Sequence, residues 1–165
     1  MTKMIKFFLW CVCISILVFG GFFITRSFSS RQFQMHTPMS NAQLPLTTTV
    51  RSPQGADIRV RVANTEKTRE LGLSHFIDLP TGQGMLFVFP QMGIYSFWMK
   101  DMNFPLDMIW IDENGSVVYR VINADPSSYP KIFTPSASAR YVLEIPAHTA
   151  DDYGFLVGSS VIIKK

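Results

Sequence analysis

From Phe7 to Ile24 the chain reads FFLWCVCISILVFGGFFI, with Ser15 the only clearly polar position. As a helix rising about 1.5 Å per residue this run spans about 27 Å, close to the roughly 30 Å hydrocarbon core of a bilayer. The apolar region of a cleaved signal peptide is shorter, about 7–15 residues, and small residues follow it. Here bulky Phe22, Phe23 and Ile24 close the run. Residues 1–25 are therefore expected to be an uncleaved membrane anchor, with a cleaved signal segment and a secreted body as the alternative. Residues 26–46 lose all periodicity and are rich in Ser, Gln, Thr, Asn and Pro. They read as a flexible linker with a mean reach of about 25 Å.

From residue 47 to 165 the pattern is that of strands. Thr47–Val50 and Asp57–Ala63 flank Pro53-Gln54-Gly55, a turn signal, and predict a hairpin. Ile58, Val60 and Val62 alternate with Asp57, Arg59 and Arg61, one buried and one wet face. Asn64 or Thr65 can cap a short helix that Gly72 ends. Gly84–Pro90 is apolar on both faces, the mark of a central strand covered on both sides. Ile94–Met102 and Leu106–Asp112 follow as expected strands, and Asn114-Gly115 turns the chain into Ser116–Ile122. A proline-bearing loop from Pro126 to Ser138 leads to Tyr141–Ile145. Thr149–Tyr153 reads as one helical turn, and Val161–Ile163 as a last strand. The sum is an all-β domain with one or two short helices, expected as an antiparallel sandwich or barrel.

Charge changes the picture of a chain whose net +3 invites a nucleic-acid reading. Lys3, Lys6, Arg26 and Arg31 flank the apolar run with no acidic residue among them; after residue 31 there are eleven basic and twelve acidic residues. The near-neutral body has no basic run to follow a phosphate backbone, so no nucleic-acid partner is expected. Both cysteines, Cys11 and Cys13, lie in the apolar segment, which removes disulfide and thiolate chemistry from the body. His75 and His148 stand in no ligand spacing, so no metal site and no cofactor is expected. No Gly-x-Ser-x-Gly elbow or phosphate loop occurs.

Four motifs in order, Gly84-Met-Leu-Phe-Val-Phe-Pro90, Phe97-Trp-Met-Lys100, Pro105-Leu-Asp-Met-Ile109 and Arg140-Tyr-Val-Leu-Glu144, resemble the DUF192 family, also called UPF0127. Thr68-Arg-Glu-Leu-Gly-Leu73 is similar to that family's Glu-Arg-x-x-Gly-Leu element, with Thr68 in place of the acid. The resemblance runs over about residues 56 to 163. It implies a compact, jelly-roll-like β-domain, often secreted or membrane-anchored, and it supplies no activity. Asp101, His148 and Ser159 depart from the residues usual in the family at those positions.

The candidate chemistry centres on Arg69, Trp98, Lys100 and Asp107. Asp107 shares a strand face with Ile109 and Ile111, so it enters the interior and requires a partner, for which Lys100 and Arg69 are the candidates. Trp98 would stack a ligand such as a sugar ring while the charges fix its polar groups. The competing reading is a buried ion pair with Trp98 in the core. Glu144 shares a face with Arg140 and Val142, which makes it either a salt-bridged surface carboxylate or a second pocket carboxylate. The expected function is a membrane-tethered binding or accessory module outside the cytoplasm, its partners the membrane through residues 7–24 and an envelope polysaccharide, peptide or protein. A hydrolase using Asp107 and Glu144 as an acid–base pair is the second reading. A purely structural envelope protein is the third.

Overall fold

The chain reverses at Ser52–Ala56, where the Ser52 amide donates to the Ala56 carbonyl at 2.8 Å and Gly55 takes a φ of +87°. This turn joins β1 (Leu46–Arg51) to β2 (Asp57–Ala63) as the antiparallel hairpin the alternation predicts, with Val50 opposite Ile58. The computed structural model describes residues 44–164. The expected anchor, residues 1–25, and most of the expected linker, residues 26–46, lie outside them, and among the described residues no helix is long and apolar enough to cross a membrane.

Helix α1 (Glu66–Leu71) opens on Thr65, whose hydroxyl accepts from the Thr68 amide while the Thr68 hydroxyl accepts from the Thr65 amide. Gly72 closes it with a φ of +49°. The helix and the loop after it carry the chain over to β3 (Gln83–Gly93), which pairs with β2 in parallel, Arg61 beside Met85. Parallel neighbours need such a crossover, so the all-antiparallel expectation fails at this one joint.

β4 (Leu106–Ile111) and β5 (Val117–Ala124) form the second hairpin, its turn held by Asp112, whose carboxylate accepts from the amides of Asn114 and Ser116. β6 (Ala139–Pro146) then inserts between β4 and β3, antiparallel to both, and β7 (Ile162–Lys164) pairs with β1. The order is β5-β4-β6-β3-β2-β1-β7, with β3 at the centre, as its two-sided apolar pattern requires. This is one mixed seven-stranded sheet, not the two facing antiparallel sheets of a sandwich or jelly roll. Its two ends are tied through residues 158–161: Val117 donates to Ser159, Gly158 to Val117 and Val161 to Gly115.

Ile94–Met102, expected as a strand, is none. β3 already has β2 and β6 as neighbours, and β4 has β5 and β6, so no edge is open between them. The segment crosses the sheet face with a single bridge, Phe97 to Phe133. Alternation survives without a ladder: Phe97 and Met99 turn inward, Trp98 and Lys100 outward.

Both sheet faces are covered. The inner face gathers Val50, Ile58, Val60, Leu86, Ile109, Val117 and Leu143, closed by Phe155 and Val161. The outer face carries Met85, Phe87, Met108, Trp110 and Val142 under Leu73, Phe76, Leu79 and Met99. Burying this many large side chains, at about 1.5–3 kcal/mol each, is the main force holding α1 and the two covering loops onto the sheet.

Candidate functional site

Asp107 and Glu144 sit on neighbouring strands one register step apart. Asp107 lies opposite Ile145 and Glu144 opposite Met108, so the two carboxyl groups point to opposite faces of the sheet. The acid–base pairing of the hydrolase reading needs both in one cleft, and that geometry is absent.

Asp107 is fully buried on the inner face, and its partners are neither Lys100 nor Arg69. A bulge sets two residues of β5, Ile122 and Asn123, against Asp107 of β4. Asn123, at a φ of +52°, aims its amide at Oδ1 at 2.8 Å. Oδ2 accepts from the amides of Thr149 and Ala150, both at 2.9 Å. Three backbone donors satisfy the carboxylate where a side-chain cation was expected. Asp107 is thus a structural acceptor that pins the turn after β6, and it lies apart from the cavity described next.

Glu144 lies on the outer face in a row of side chains running across the sheet, Arg61 on β2, Met85 on β3, then Glu144, then Met108 on β4. It is 4% exposed, which corrects the salt-bridged surface reading. Its Oε2 has no hydrogen-bond partner among the described residues. Burial alone pushes its carboxyl up to about 8, so at neutral pH the group is mostly a neutral acid.

Above it opens a cavity of about 740 Å³ between the sheet, α1 and the 96–102 segment. Glu144, Phe87 and Phe89 form its sheet side; Arg69, Trp98 and Lys100 lie around it. Four of the five expected site residues therefore share one cavity, and Asp107 is the exception. Lys100 borders this opening, where the purely structural reading wants a close-packed surface. Trp98 is 55% exposed and is not a core residue.

The cavity walls are held by identifiable contacts. Arg69 donates to the Val88 carbonyl at 3.0 Å with its guanidinium 5.3 Å from the Phe89 ring centroid, which ties α1 to β3. Phe97 meets Phe87 edge-on at 4.9 Å and Trp110 edge-on at 5.6 Å. Trp110 in turn donates from Nε1 to the Tyr95 carbonyl at 2.7 Å. Asn103 donates to the Phe76 carbonyl at 2.6 Å, linking the loop after α1 to the segment that follows Met102.

Two lining residues were not among the expected site residues. His75 and Asp101 adopt left-handed backbone, with φ of +67° and +57°. Side chains in that region cost about 1–3 kcal/mol each and are concentrated at functional sites. Nothing in the hydrophobic pattern marks them; the one signal was Asp101 departing from the family's usual residue.

Fold and cavity together define a curled, mixed β-domain with a carboxyl-floored opening on its outer face. The model of DUF192, described as an uncharacterised ACR family, matches residues 47–163. The chain belongs to the DUF192 family. Among curated proteins none matches it. It is similar to a solved structure from Sinorhizobium meliloti 1021, for which a role as a transcription regulator has been suggested, at 30% identity and a TM-score of 0.64 over 70% of this chain and 90% of that one. It is also similar to a protein of unknown function from Novosphingobium aromaticivorans DSM 12444, at 27% identity and a TM-score of 0.64 over 70% of this chain and 82% of that one.

Proposed function

We propose that the chain is a membrane-tethered binding module of the cell envelope whose β-domain lies outside the cytoplasm and takes a saccharide into the outer-face cavity. One observation carries the ligand part of this reading. An exposed tryptophan, Trp98, stands at an opening of about 740 Å³ whose interior holds a buried carboxyl group. The volume falls in the range of about 300–1,000 Å³ usual for small-molecule sites, and an indole face with a few polar groups behind it suits a sugar ring. The tether rests on the apolar run 7–24, its basic flanks and the polar linker. Transcription regulation, suggested for the Sinorhizobium relative, finds no support in this chain's near-neutral body.

The test is titration of the full-length protein with a panel of envelope oligosaccharides, followed by tryptophan fluorescence and calorimetry. Trp98→Ala is expected to remove binding and leave the circular dichroism spectrum unchanged. Binding unaffected by Trp98→Ala overturns the cavity as the saccharide site. Protease treatment of spheroplasts tests the tether: a β-domain resistant until the membrane is opened overturns the extracytoplasmic placement.

A further inference from the structure

Resting on that reading, we propose that the part of the ligand reaching the cavity interior is a cation, the protonated primary amine of an amino sugar, seated between the Glu144 carboxyl and the phenylalanine rings. Three observations converge on it. Glu144 is 4% exposed, and Oε2 has no partner among the described residues. A buried acceptor in that state is costly unless something bound at the site supplies the missing contact. Beside it in the lining are Phe87 and Phe97, aromatic rings whose faces attract a positive charge, while Phe89 is already stacked on Tyr95 and lies under Arg69.

None of the nearby guanidinium groups pairs with Glu144. Arg69 donates to Val88 and lies over Phe89; Arg61, on the same sheet face, donates from Nη1 to Gln83 and lies over Phe76, and its buried Nε has no partner among the described residues. No ion pair among the described residues reaches Glu144. Arg140, also on this face of β6, has a buried Nε without a partner and makes no such pair. Among the carboxylates and the lysine and arginine side chains, the rest of the lining is balanced in sign: Lys67, Arg69 and Lys100 stand against Glu66, Glu70 and Asp101. The rim neither attracts nor repels an entering charge, so the sign of preference is set inside the cavity.

A neutral hydroxyl group would be served equally well by an amide at position 144. A carboxyl group adds one capability, the loss of its proton to meet a positive charge. In the empty cavity Glu144 holds that proton up to about pH 8. An ammonium group arriving beside it favours the carboxylate; the proton passes to solvent, and the ion pair forms in a low-dielectric site. Binding of a protonated amine below pH 8 therefore releases up to one proton for each ligand bound, and binding of the N-acetylated sugar releases none.

The experiment uses the full-length protein and two probes of equal length, the tetramer of glucosamine and the tetramer of N-acetylglucosamine. Calorimetry at pH 6.0 in two buffers of different protonation enthalpy counts the protons. The expected result is at least tenfold tighter binding of the glucosamine tetramer, with close to one proton released. Glu144→Gln is expected to lower that affinity at least tenfold, to abolish the release and to leave the acetylated probe unaffected. Equal or tighter binding of the acetylated tetramer by the wild type overturns the amine and leaves the saccharide reading standing. So does a glucosamine affinity unchanged in Glu144→Gln. Failure of both probes to bind the wild type overturns this proposal, and failure of the wider oligosaccharide panel as well overturns the saccharide reading.

Discussion

Replacing Glu144 with Gln isolates the energetic cost of the buried carboxyl group. In the folded chain the group titrates near 8, against an ordinary value of 4.5. Between those values the native state holds a proton that the unfolded state has released. The contribution of this group to stability is therefore fully present below about pH 4.5 and is lost as pH rises through 8. Each unit of difference corresponds to about 1.4 kcal/mol, so the loss across the window is about 5 kcal/mol. That is a large share of the roughly 5–15 kcal/mol by which a domain is stable. Gln keeps the shape and loses the titration. Urea denaturation of wild type and Glu144→Gln, followed by circular dichroism at half-unit steps from pH 4.5 to 9, gives the difference directly, because every other titrating group cancels. The two proteins are expected to be close in stability at pH 4.5, with the variant ahead by about 4–5 kcal/mol above pH 8. A difference constant to within about 0.5 kcal/mol over the whole range refutes the reasoning: it means that the carboxyl group is solvated or already paired.

Asp107→Asn turns one acceptor of a three-amide cradle into a donor facing donors; it is expected to cost about 2–3 kcal/mol in urea denaturation and to leave saccharide binding unchanged. Gly84→Ala places a Cβ 2.7 Å from the Glu144 carbonyl oxygen in the central strand, and a thermal melt is expected to show Tm lower by about 10 °C. Thr65→Ala removes the helix cap and is expected to cost about 1 kcal/mol. Because α1 forms one wall of the cavity, saccharide affinity measured by calorimetry should fall with it. Trp98→Ala should leave Tm within about 2 °C of wild type, since an indole more than half exposed contributes little to the core.

Much of the fold is local and was legible. The Val50–Ile58 hairpin, the Asp112–Ser116 turn, the Thr65 cap and the central place of β3 each follow from a few adjacent residues. What failed was non-local. The helix between β2 and β3 was readable, but its consequence, a parallel pairing, depends on where β6 inserts, some sixty residues later. The same insertion leaves Ile94–Met102 without an edge. Trp98, Lys100 and Glu144 were legible as site candidates because alternation along an extended segment sets side-chain direction; Arg69, on α1, entered only as a partner for Asp107, a pairing that is not made. Asp107 was read correctly as buried and wrongly as needing a cation. Backbone amides satisfied it instead, and their directions come from a bulge and a turn that carry no residue signature.

The tie between the sheet's ends has a consequence for how the chain acquires its structure. Thr49 pairs with Lys164, and Phe155 and Val161 close the inner face against Val50 and Ile58. The first strand thus waits for the last, and contacts of such high sequence separation slow folding. A ribosome emits a chain from its amino terminus, so the inner core stays incomplete until residues 155–164 have emerged. Closure of the inner face is thereby deferred until β7 has been made, and the strands synthesised before it keep an apolar face uncovered in the meantime.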